Sequence, residues 1–127
     1  MLLASAICSC SEKQPATTEP MITKTEIQVE NGHFTPEIMH RLGKVGDPQL
    51  SPNYGKILYG VSYTSIEQNK GNRELFLMNA DGTENVKLTS TPKSESNARW
   101  INDSQIIYMR GGKLYTATIE GSALKNE

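Results

Sequence analysis

An internal repeat of short β-strands is the feature that most limits how this chain can fold. Residues 74–90, ELFLMNADGTENVKLTS, contain a hydrophobic strand, the turn Asp81-Gly82 and a second short apolar segment. Asp-Gly between apolar strands is typical of a β-hairpin. A similar series follows, in which the strands QIIYMR and KLYTATI flank the two-residue turn Gly111-Gly112. The sequence therefore predicts two successive meanders of antiparallel strands.

The two copies align with a single change of spacing. Four positions correspond, at offsets of 50, 49, 39 and 39 residues: Leu50 with Trp100, Tyr59 with Tyr108, Leu75 with Leu114, and Gly82 with Gly121. One longer loop in the first copy, predicted over residues 64–72 (TSIEQNKGN), explains the drop of ten residues. Repeats of this length with four strands each are typical of β-propeller blades. Two unrelated hairpins in a small sandwich are the alternative.

We therefore predict an all-β fold, a partial β-propeller of about two antiparallel four-stranded blades with a short N-terminal helix. The second blade is expected to be incomplete and to lack its last strand. Composition and turn residues divide the chain into five segments: a truncated lipoprotein-type signal (1–10), a flexible linker (11–30), a short helical lead-in (31–46), the first blade (47–91) and the second, incomplete blade (92–127).

The lead-in contains the signals of a short helix within HFTPEIMHRLG. Thr35 is suited to the N-cap, Pro36 to the first helical position and Gly43 to the C-terminal end. The predicted apolar side of this helix comprises Ile38, Met39 and Leu42. His33 and His40 have no Cys, Asp or Glu cluster at ligand spacing, so we interpret them as surface or packing residues and predict no metal site and no cofactor.

The charge composition does not favour nucleic acid as a partner. The chain has 13 basic and 14 acidic residues and a net charge of -1, which gives no overall field for binding nucleic acid.

Both cysteines lie in MLLASAICSC at the N-terminus. With Ile7 three residues before Cys10 and Ser9 one before, this stretch resembles a bacterial lipoprotein signal. The resemblance implies lipidation of Cys10, attachment to a membrane and a periplasmic or cell-envelope location; an unmodified apolar N-terminus is the alternative.

The blade sequences carry a more specific resemblance. LSPNYGKILYGVS followed by ELFLMNADGTENVKLTS resembles the blade motif of propellers in the prolyl oligopeptidase family of serine peptidases and in the Tol-system periplasmic propeller. The lead-in FTPEIMHRLGKVGDPQLSP with YTSIEQNKGNREL is more similar to the N-terminal end of secreted bacterial dipeptidyl or acylaminoacyl peptidases of that family. The resemblance covers about residues 34–127. It departs from the family at the first turn, where SPNYGK replaces the usual Ser-Pro-Asp-Gly-Lys, and at the turn of residues 119–122.

The resemblance implies a non-catalytic propeller fragment of a serine exopeptidase. In the family, the propeller controls the access of short peptides to an α/β-hydrolase domain, so the implied partners are that domain, the remaining blades and peptide substrates. No Gly-x-Ser-x-Gly motif occurs in the 127 residues, and we predict no catalytic residue here. A Tol-like binding propeller that acts as a protein-interaction platform, or a truncated reading frame without independent function, are the alternatives.

Individual residues with catalytic chemistry are interpreted as structural. Ser51 precedes a turn-forming proline and Asp81 lies at a hairpin tip, so with His40 they are not expected to form a triad. Glu67 and Glu74 are expected on solvated faces. Two blades leave apolar faces open, and the chain alone is expected to be poorly stable or self-associating. The residues predicted for inter-blade surfaces are Ile57, Tyr59, Leu75, Leu77, Trp100, Ile106, Tyr108 and Leu114.

Overall fold

A computed structural model describes residues 20–127, which form two four-stranded antiparallel sheets and one short helix. The elements of sheet 1 and its preceding helix are α1 (Pro36–Arg41), β1 (Lys44–Leu50), β2 (Lys56–Ser65), β3 (Lys70–Asn79) and β4 (Val86–Lys87). Those of sheet 2 are β5 (Glu95–Trp100), β6 (Gln105–Arg110), β7 (Lys113–Glu120) and β8 (Ala123–Lys125). In each sheet the strands lie in chain order. The predicted all-β class, with two antiparallel sheets and a short helix, is confirmed.

The prediction that the second unit lacks its last strand is wrong. The three-residue strand β8 pairs with β7, through Ile119 opposite Leu124 and Glu120 opposite Ala123. The sequence after Gly121 is short and polar, and gives no alternating pattern from which a strand would be predicted. The strand is stabilised by its pairing with β7 and by packing of Leu124 against the core, although its residues have no strong local preference for a strand.

The strand registers confirm the repeat in detail. Leu50 lies opposite Ile57 in sheet 1, as Trp100 lies opposite Ile106 in sheet 2. Each first strand also contains an irregularity at the same place, between Gly46 and Gln49 and between Ser96 and Arg99. The residues within these bulges, Asp47 and Asn97, have nearly equal positive φ angles of 53° and 52°. Asp and Asn are the non-glycine residues that tolerate this conformation best, so the bulge belongs to the repeated unit.

The long loop predicted over residues 64–72 is mostly strand. β2 continues to Ser65, β3 begins at Lys70, and only residues 66–69 remain as the turn. Asn72 is 3% exposed, and its side-chain amide donates to the carbonyl oxygens of Ile22 at 3.1 Å and Thr91 at 3.0 Å. These partners lie far away in the sequence, which is why local composition did not indicate the strand.

The helix begins as predicted and ends differently. Thr35 is the N-cap, and its hydroxyl oxygen accepts a hydrogen bond from the Ile38 backbone at 3.3 Å. Leu42, in an extended conformation, caps the other end, and Gly43 follows it at the predicted position but without the positive φ of a glycine terminator. Gly43 is needed for space, because a Cβ there would lie 2.8 Å from carbon atoms of Tyr63 and Val61. The expected apolar side is not buried, since Met39 and Leu42 are exposed.

The main core lies between the two sheets. Its buried members come from one face of each sheet: Leu58, Leu75 and Leu77 from sheet 1, with Ala98, Ile106, Tyr108, Ala117 and Ile119 from sheet 2. Trp100 packs against this cluster and donates its indole N–H to the Gln49 carbonyl oxygen at 3.1 Å. Five of the eight predicted inter-blade residues therefore meet here. The other three lie elsewhere: Ile57 and Tyr59 are on the opposite face of sheet 1, and Leu114 is exposed on sheet 2.

Truncating Leu75 and Leu114 separately should measure the contribution of this core, because the two leucines occupy equivalent places in the two repeats. Leu75 is 1% exposed and Leu114 is 67% exposed. Leu75→Ala should lower the free energy of unfolding by about 2–5 kcal/mol, and Leu114→Ala should change it by less than about 0.5 kcal/mol. Urea denaturation of both variants provides the measurement. Equal effects would contradict the assigned core.

Candidate functional site

A buried carboxylate lies where the two sheets meet. Glu95 is 0% exposed, and its oxygens accept hydrogen bonds from Thr91 at 2.6 Å and Thr89 at 3.0 Å. Its Oε1 also lies 2.7 Å from Nε of Arg110. The Thr89 hydroxyl in turn accepts from the Leu75 backbone N–H at 2.9 Å. Both carboxylate oxygens are therefore satisfied, as burial of a charge requires.

Arg110 connects this carboxylate to a second one and to two aromatic rings. Its guanidinium donates to both oxygens of Glu127, at 2.8 and 3.1 Å, and to the Tyr108 hydroxyl at 3.2 Å. It lies 5.4 Å from the Tyr108 ring centroid and 5.1 Å from that of Tyr115, within the range of cation–π attraction. Hydrogen bonding from Arg110 lowers the pKa of Glu127, and burial raises the pKa of Tyr108. The guanidinium is fully engaged, so this network joins the sheets and does not present a free charge to a substrate.

Glu74 is the residue that sequence reasoning placed wrongly. It was expected on a solvated face, yet it is 0% exposed on β3. The Lys87 ammonium lies 2.7 Å from its Oε1 and compensates its charge, and no other group of residues 20–127 donates a hydrogen bond to this carboxylate. The alternation of β3 does contain a signal, because Glu74 shares a face with Phe76 two residues later, and that face is partly covered.

That face of sheet 1, which points away from sheet 2, is named here the outer face. Its buried cluster consists of Tyr59, Val61 and Tyr63, with Ile57, Phe76, Met78 and Ile22 packed against it. The rings of Tyr59 and Phe76 stack at 5.6 Å, and the Tyr59 hydroxyl donates to Asn85 at 2.7 Å. Burial, and then the charge of Glu74, raise the pKa of Tyr63.

An open concavity of about 580 Å³ lies over the outer face. Its floor is formed by the sheet, and its other walls by residues 24–27 and by the end of α1 with the residues after it. Composition predicts a flexible linker over residues 11–30; of these, residues 20–27 follow the sheet surface through contacts such as that of Ile22. The concavity is mainly apolar, with Arg41, Lys24 and Asn85 as polar groups at its walls.

The far face of sheet 2 points away from sheet 1. Register and offset place Ile107 and Leu114 here at the positions that Leu58 and Leu75 hold in sheet 1. Leu58 and Leu75 are 0% and 1% exposed, whereas Leu114 is 67% exposed. The repeat thus ends in two faces of different composition, one on each side of the pair of sheets.

The residues considered for a catalytic triad have structural partners. Ser51 is buried, donates to Asn53 at 2.8 Å and accepts from the Lys56 backbone at 2.9 Å. Asp81 accepts from the backbone N–H and the hydroxyl of Thr83 at 2.9 and 2.6 Å, which fixes the hairpin turn. Both turns are built as expected for residues of this type.

The two histidines, His33 and His40, and Glu67 are exposed, as expected from the sequence. Glu67 accepts a hydrogen bond from Ser65 at 3.0 Å. Among residues 20–127, no group of three or more His, Cys, Asp or Glu side chains could hold a metal ion. The same part of the chain contains no helix with the length and hydrophobicity needed to cross a bilayer. Cys10, the predicted lipidation site, lies outside the described residues.

A surface ion pair also joins the sheets. Arg99 of β5 lies 2.7 Å from the carboxylate of Asp47, whose other oxygen accepts from the Gln49 side chain at 3.1 Å. The Arg99 hydrogen bond lowers the pKa of Asp47. Both side chains are partly exposed, at 50% for Arg99 and 32% for Asp47, so the pair is expected to contribute less than about 1 kcal/mol.

Asp47 should make a small contribution to the free energy of unfolding that is lost in acid. Because its pKa is lower in the folded state, the contribution is present above the unfolded-state pKa and is lost as the pH falls through the folded-state pKa. Asp47→Asn should therefore lower the free energy of unfolding near pH 7, and the difference from the native chain should shrink toward about pH 2. Urea unfolding at several pH values tests this. Arg99→Gln should reproduce the effect, and a difference that does not change with pH would contradict the assignment.

The two buried glutamates should respond differently to the same substitution. Glu95→Gln removes a charge that Arg110 and two threonine hydroxyls stabilise, and should cost about 3 kcal/mol or more. Glu74→Gln removes a buried charge whose partner among the described residues is the Lys87 ammonium alone, and Lys87 is 30% exposed and can gain hydration when the pair is lost. We expect a change below about 1 kcal/mol. Chemical denaturation of both variants provides the measurement. Equal losses in the free energy of unfolding would contradict the difference between the two environments.

Comparison with known proteins shows similarity to dipeptidyl peptidases. The chain is 33% identical over 97 residues to dipeptidyl-peptidase 5 of Porphyromonas endodontalis, covering 76% of this chain and 13% of that protein. It is 36% identical over 75 residues to dipeptidyl-peptidase 5 of Porphyromonas gingivalis, covering 59% of this chain and 11% of that protein. No family model and no solved structure match the chain. The chain is thus related to dipeptidyl peptidases, over a region that spans only 11–13% of their length.

Proposed function

We propose that this chain is a non-catalytic part of the β-propeller of a serine dipeptidyl peptidase of the prolyl oligopeptidase family. The observation that carries the proposal is the coincidence of two facts. The chain has sequence similarity to dipeptidyl peptidases, and it folds as two tandem four-stranded sheets that stack face to face. Tandem four-stranded sheets stacked face to face are the building plan of a propeller.

The role proposed for the chain is to guide access of short peptides to a hydrolase domain. The described residues favour a scaffold over a reaction centre, because Ser51 and Asp81 hold turns and Arg110 is occupied by Glu95 and Glu127. The nucleophile would belong to an α/β-hydrolase domain outside these 127 residues, which contain no Gly-x-Ser-x-Gly. The remaining blades would cover the two apolar faces.

Location follows from the N-terminus as part of the same proposal. The stretch ICSC suits lipidation at Cys10, and one lipid-modified cysteine would tether the peptidase to the cell envelope without a membrane-spanning helix. Peptides in the periplasm would then be the substrates. Neither a cofactor nor nucleic acid has a part in this scheme.

Hydrolysis of dipeptidyl p-nitroanilides tests the proposal when two proteins are compared. The first is the 127-residue chain, which should show no turnover above buffer. The second is the product of the uninterrupted reading frame that contains it, which should release nitroaniline and lose this activity after treatment with a serine-directed fluorophosphonate. Turnover by the 127-residue chain would contradict its non-catalytic role, and a product without activity would overturn the peptidase proposal.

A further inference from the structure

We propose that Asn31 is a site of spontaneous deamidation, at which the Asn31-Gly32 pair converts to aspartate and isoaspartate and opens the turn that joins residues 20–30 to α1. The pair lies in the segment that precedes the helix, outside the two sheets. Both reacting groups belong to the described chain, so the site exists whether or not the chain is part of a peptidase.

Asn31 is the one asparagine of the chain that a glycine follows. Of the nine asparagines, the other eight precede residues with a side chain. In deamidation the backbone nitrogen of the next residue attacks Cγ of the asparagine, so a side chain on that residue obstructs the approach. Glycine has none, and a Cβ added at Gly32 would meet nothing within 4 Å. The attacking nitrogen is therefore accessible.

Residues 30–33 form a turn that leaves both reacting groups free. Asn31 and Gly32 have positive φ angles of 54° and 69°, as in the type I′ turn that Asn-Gly favours. The His33 N–H donates to the Glu30 carbonyl oxygen at 3.2 Å, at the long end of the range for such bonds. Within the described chain, neither the Asn31 side chain nor the Gly32 N–H makes a hydrogen bond. Attack requires rotation about the backbone of Asn31, and an exposed turn closed by one long hydrogen bond opens at low cost in free energy.

The Asp81-Gly82 pair can react through the same ring, but the fold holds both of its reacting groups. The Gly82 N–H donates to the Asn79 carbonyl oxygen at 2.9 Å. The Asp81 carboxylate accepts from the backbone N–H and the hydroxyl of Thr83 at 2.9 and 2.6 Å. Hydrogen bonding from Thr83 also lowers the pKa of Asp81, and an ionised carboxylate resists attack by a nucleophile. This pair is therefore expected to be protected in the folded chain.

Asn69 is a matched position with a different neighbour. Like Asn31 it is exposed, lies in a turn and has a positive φ, here 49°. Its side chain makes no hydrogen bond within residues 20–127. Lys70 follows it, and the lysine side chain obstructs the attacking nitrogen. Comparing the two asparagines thus separates the effect of the glycine from that of exposure.

The reaction needs no reagent other than water. The Gly32 nitrogen gives up its proton to the solvent and forms a bond with Cγ of Asn31, while the Cγ–Nδ2 bond breaks and the amide nitrogen leaves as ammonia. Water then opens the succinimide ring that results. Attack of water on Cγ breaks the new bond and leaves aspartate. Attack on the backbone carbonyl carbon breaks the original peptide bond and leaves isoaspartate, in which the main chain runs through Cγ.

The products change both the charge and the geometry of the turn. A carboxylate replaces a neutral amide next to Glu30, which takes the net charge of the chain from -1 to -2. Isoaspartate also lengthens the main chain by a methylene carbon between Glu30 and His33. The His33 N–H then no longer meets the Glu30 carbonyl oxygen, which is the backbone–backbone contact that closes this turn. Residues 20–30 are therefore expected to lose their fixed position relative to α1.

Mass spectrometry of the full chain after incubation at mildly alkaline pH, either folded or unfolded in guanidinium chloride, tests the proposal. Trypsin releases Asn31 in the peptide 25–41, and protein isoaspartyl methyltransferase quantifies its isoaspartate. In the folded chain Asn31 should deamidate at least about tenfold faster than Asn69, which corresponds to about 1.4 kcal/mol in activation free energy. Asp81-Gly82 should form isoaspartate in the unfolded chain and be protected in the folded one.

Asn31→Gly is the matched variant, because glycine accepts the positive φ and has no side-chain amide. Its peptide 25–41 should stay unmodified. In the native chain, the His33 amide should exchange its hydrogen faster after isoaspartate has formed. Equal rates of deamidation at Asn31 and Asn69 would overturn the proposal. So would strong protection of Asn31 in the folded relative to the unfolded chain, or exchange at His33 that is the same before and after modification.

Discussion

Packing of aliphatic and aromatic side chains between the two sheets is the interaction on which the rest of the structure depends. A single small antiparallel sheet has too little apolar area to be stable alone, and here each sheet buries one face against the other. The buried carboxylate of Glu95 lies at the same junction, where Arg110 and two threonines compensate its charge. The ion pair of Arg99 with Asp47 and the indole hydrogen bond of Trp100 to Gln49 link the sheets at their first strands. Apolar burial therefore provides the driving force, and the polar contacts fix how one sheet lies on the other.

A stack of repeated sheets has a consequence for function. Because the same faces recur, the pair of sheets ends in an aromatic outer face on one side and, on the other, in a far face where Ile107 and Leu114 alternate with threonines. The outer face retains an open concavity beside residues 24–27, and Leu114 on the far face is open to solvent. Surfaces of this kind mark sites of interaction. This is why the proposed role is that of a module in a larger assembly, consistent with a relationship to dipeptidyl peptidases that covers a small part of their length.

Much of the fold could be predicted from sequence, because aligning the two copies of the repeat indicates which residues occupy equivalent positions in the two sheets. The alignment of Tyr59 with Tyr108 and of Gly82 with Gly121 holds in the structure, where both glycines have positive φ. What could not be predicted depends on contacts between distant residues. β3 begins early because the Asn72 side chain donates hydrogen bonds to Ile22 and Thr91, and Glu74 is buried on the face that Ile22 and its neighbours cover. The site follows the same rule: strand alternation indicates which side chains share a face, but only the packing of the sheets decides which face remains open.

Native-state hydrogen exchange tests most directly whether the two sheets form one cooperative unit. The central strands of both sheets, β2 and β3 in one and β6 and β7 in the other, should exchange with a common free energy of opening. Leu75→Ala, a change made only in sheet 1, should lower protection in all four strands by the same amount. Loss of protection confined to β2 and β3, with β6 and β7 unchanged, would contradict the account.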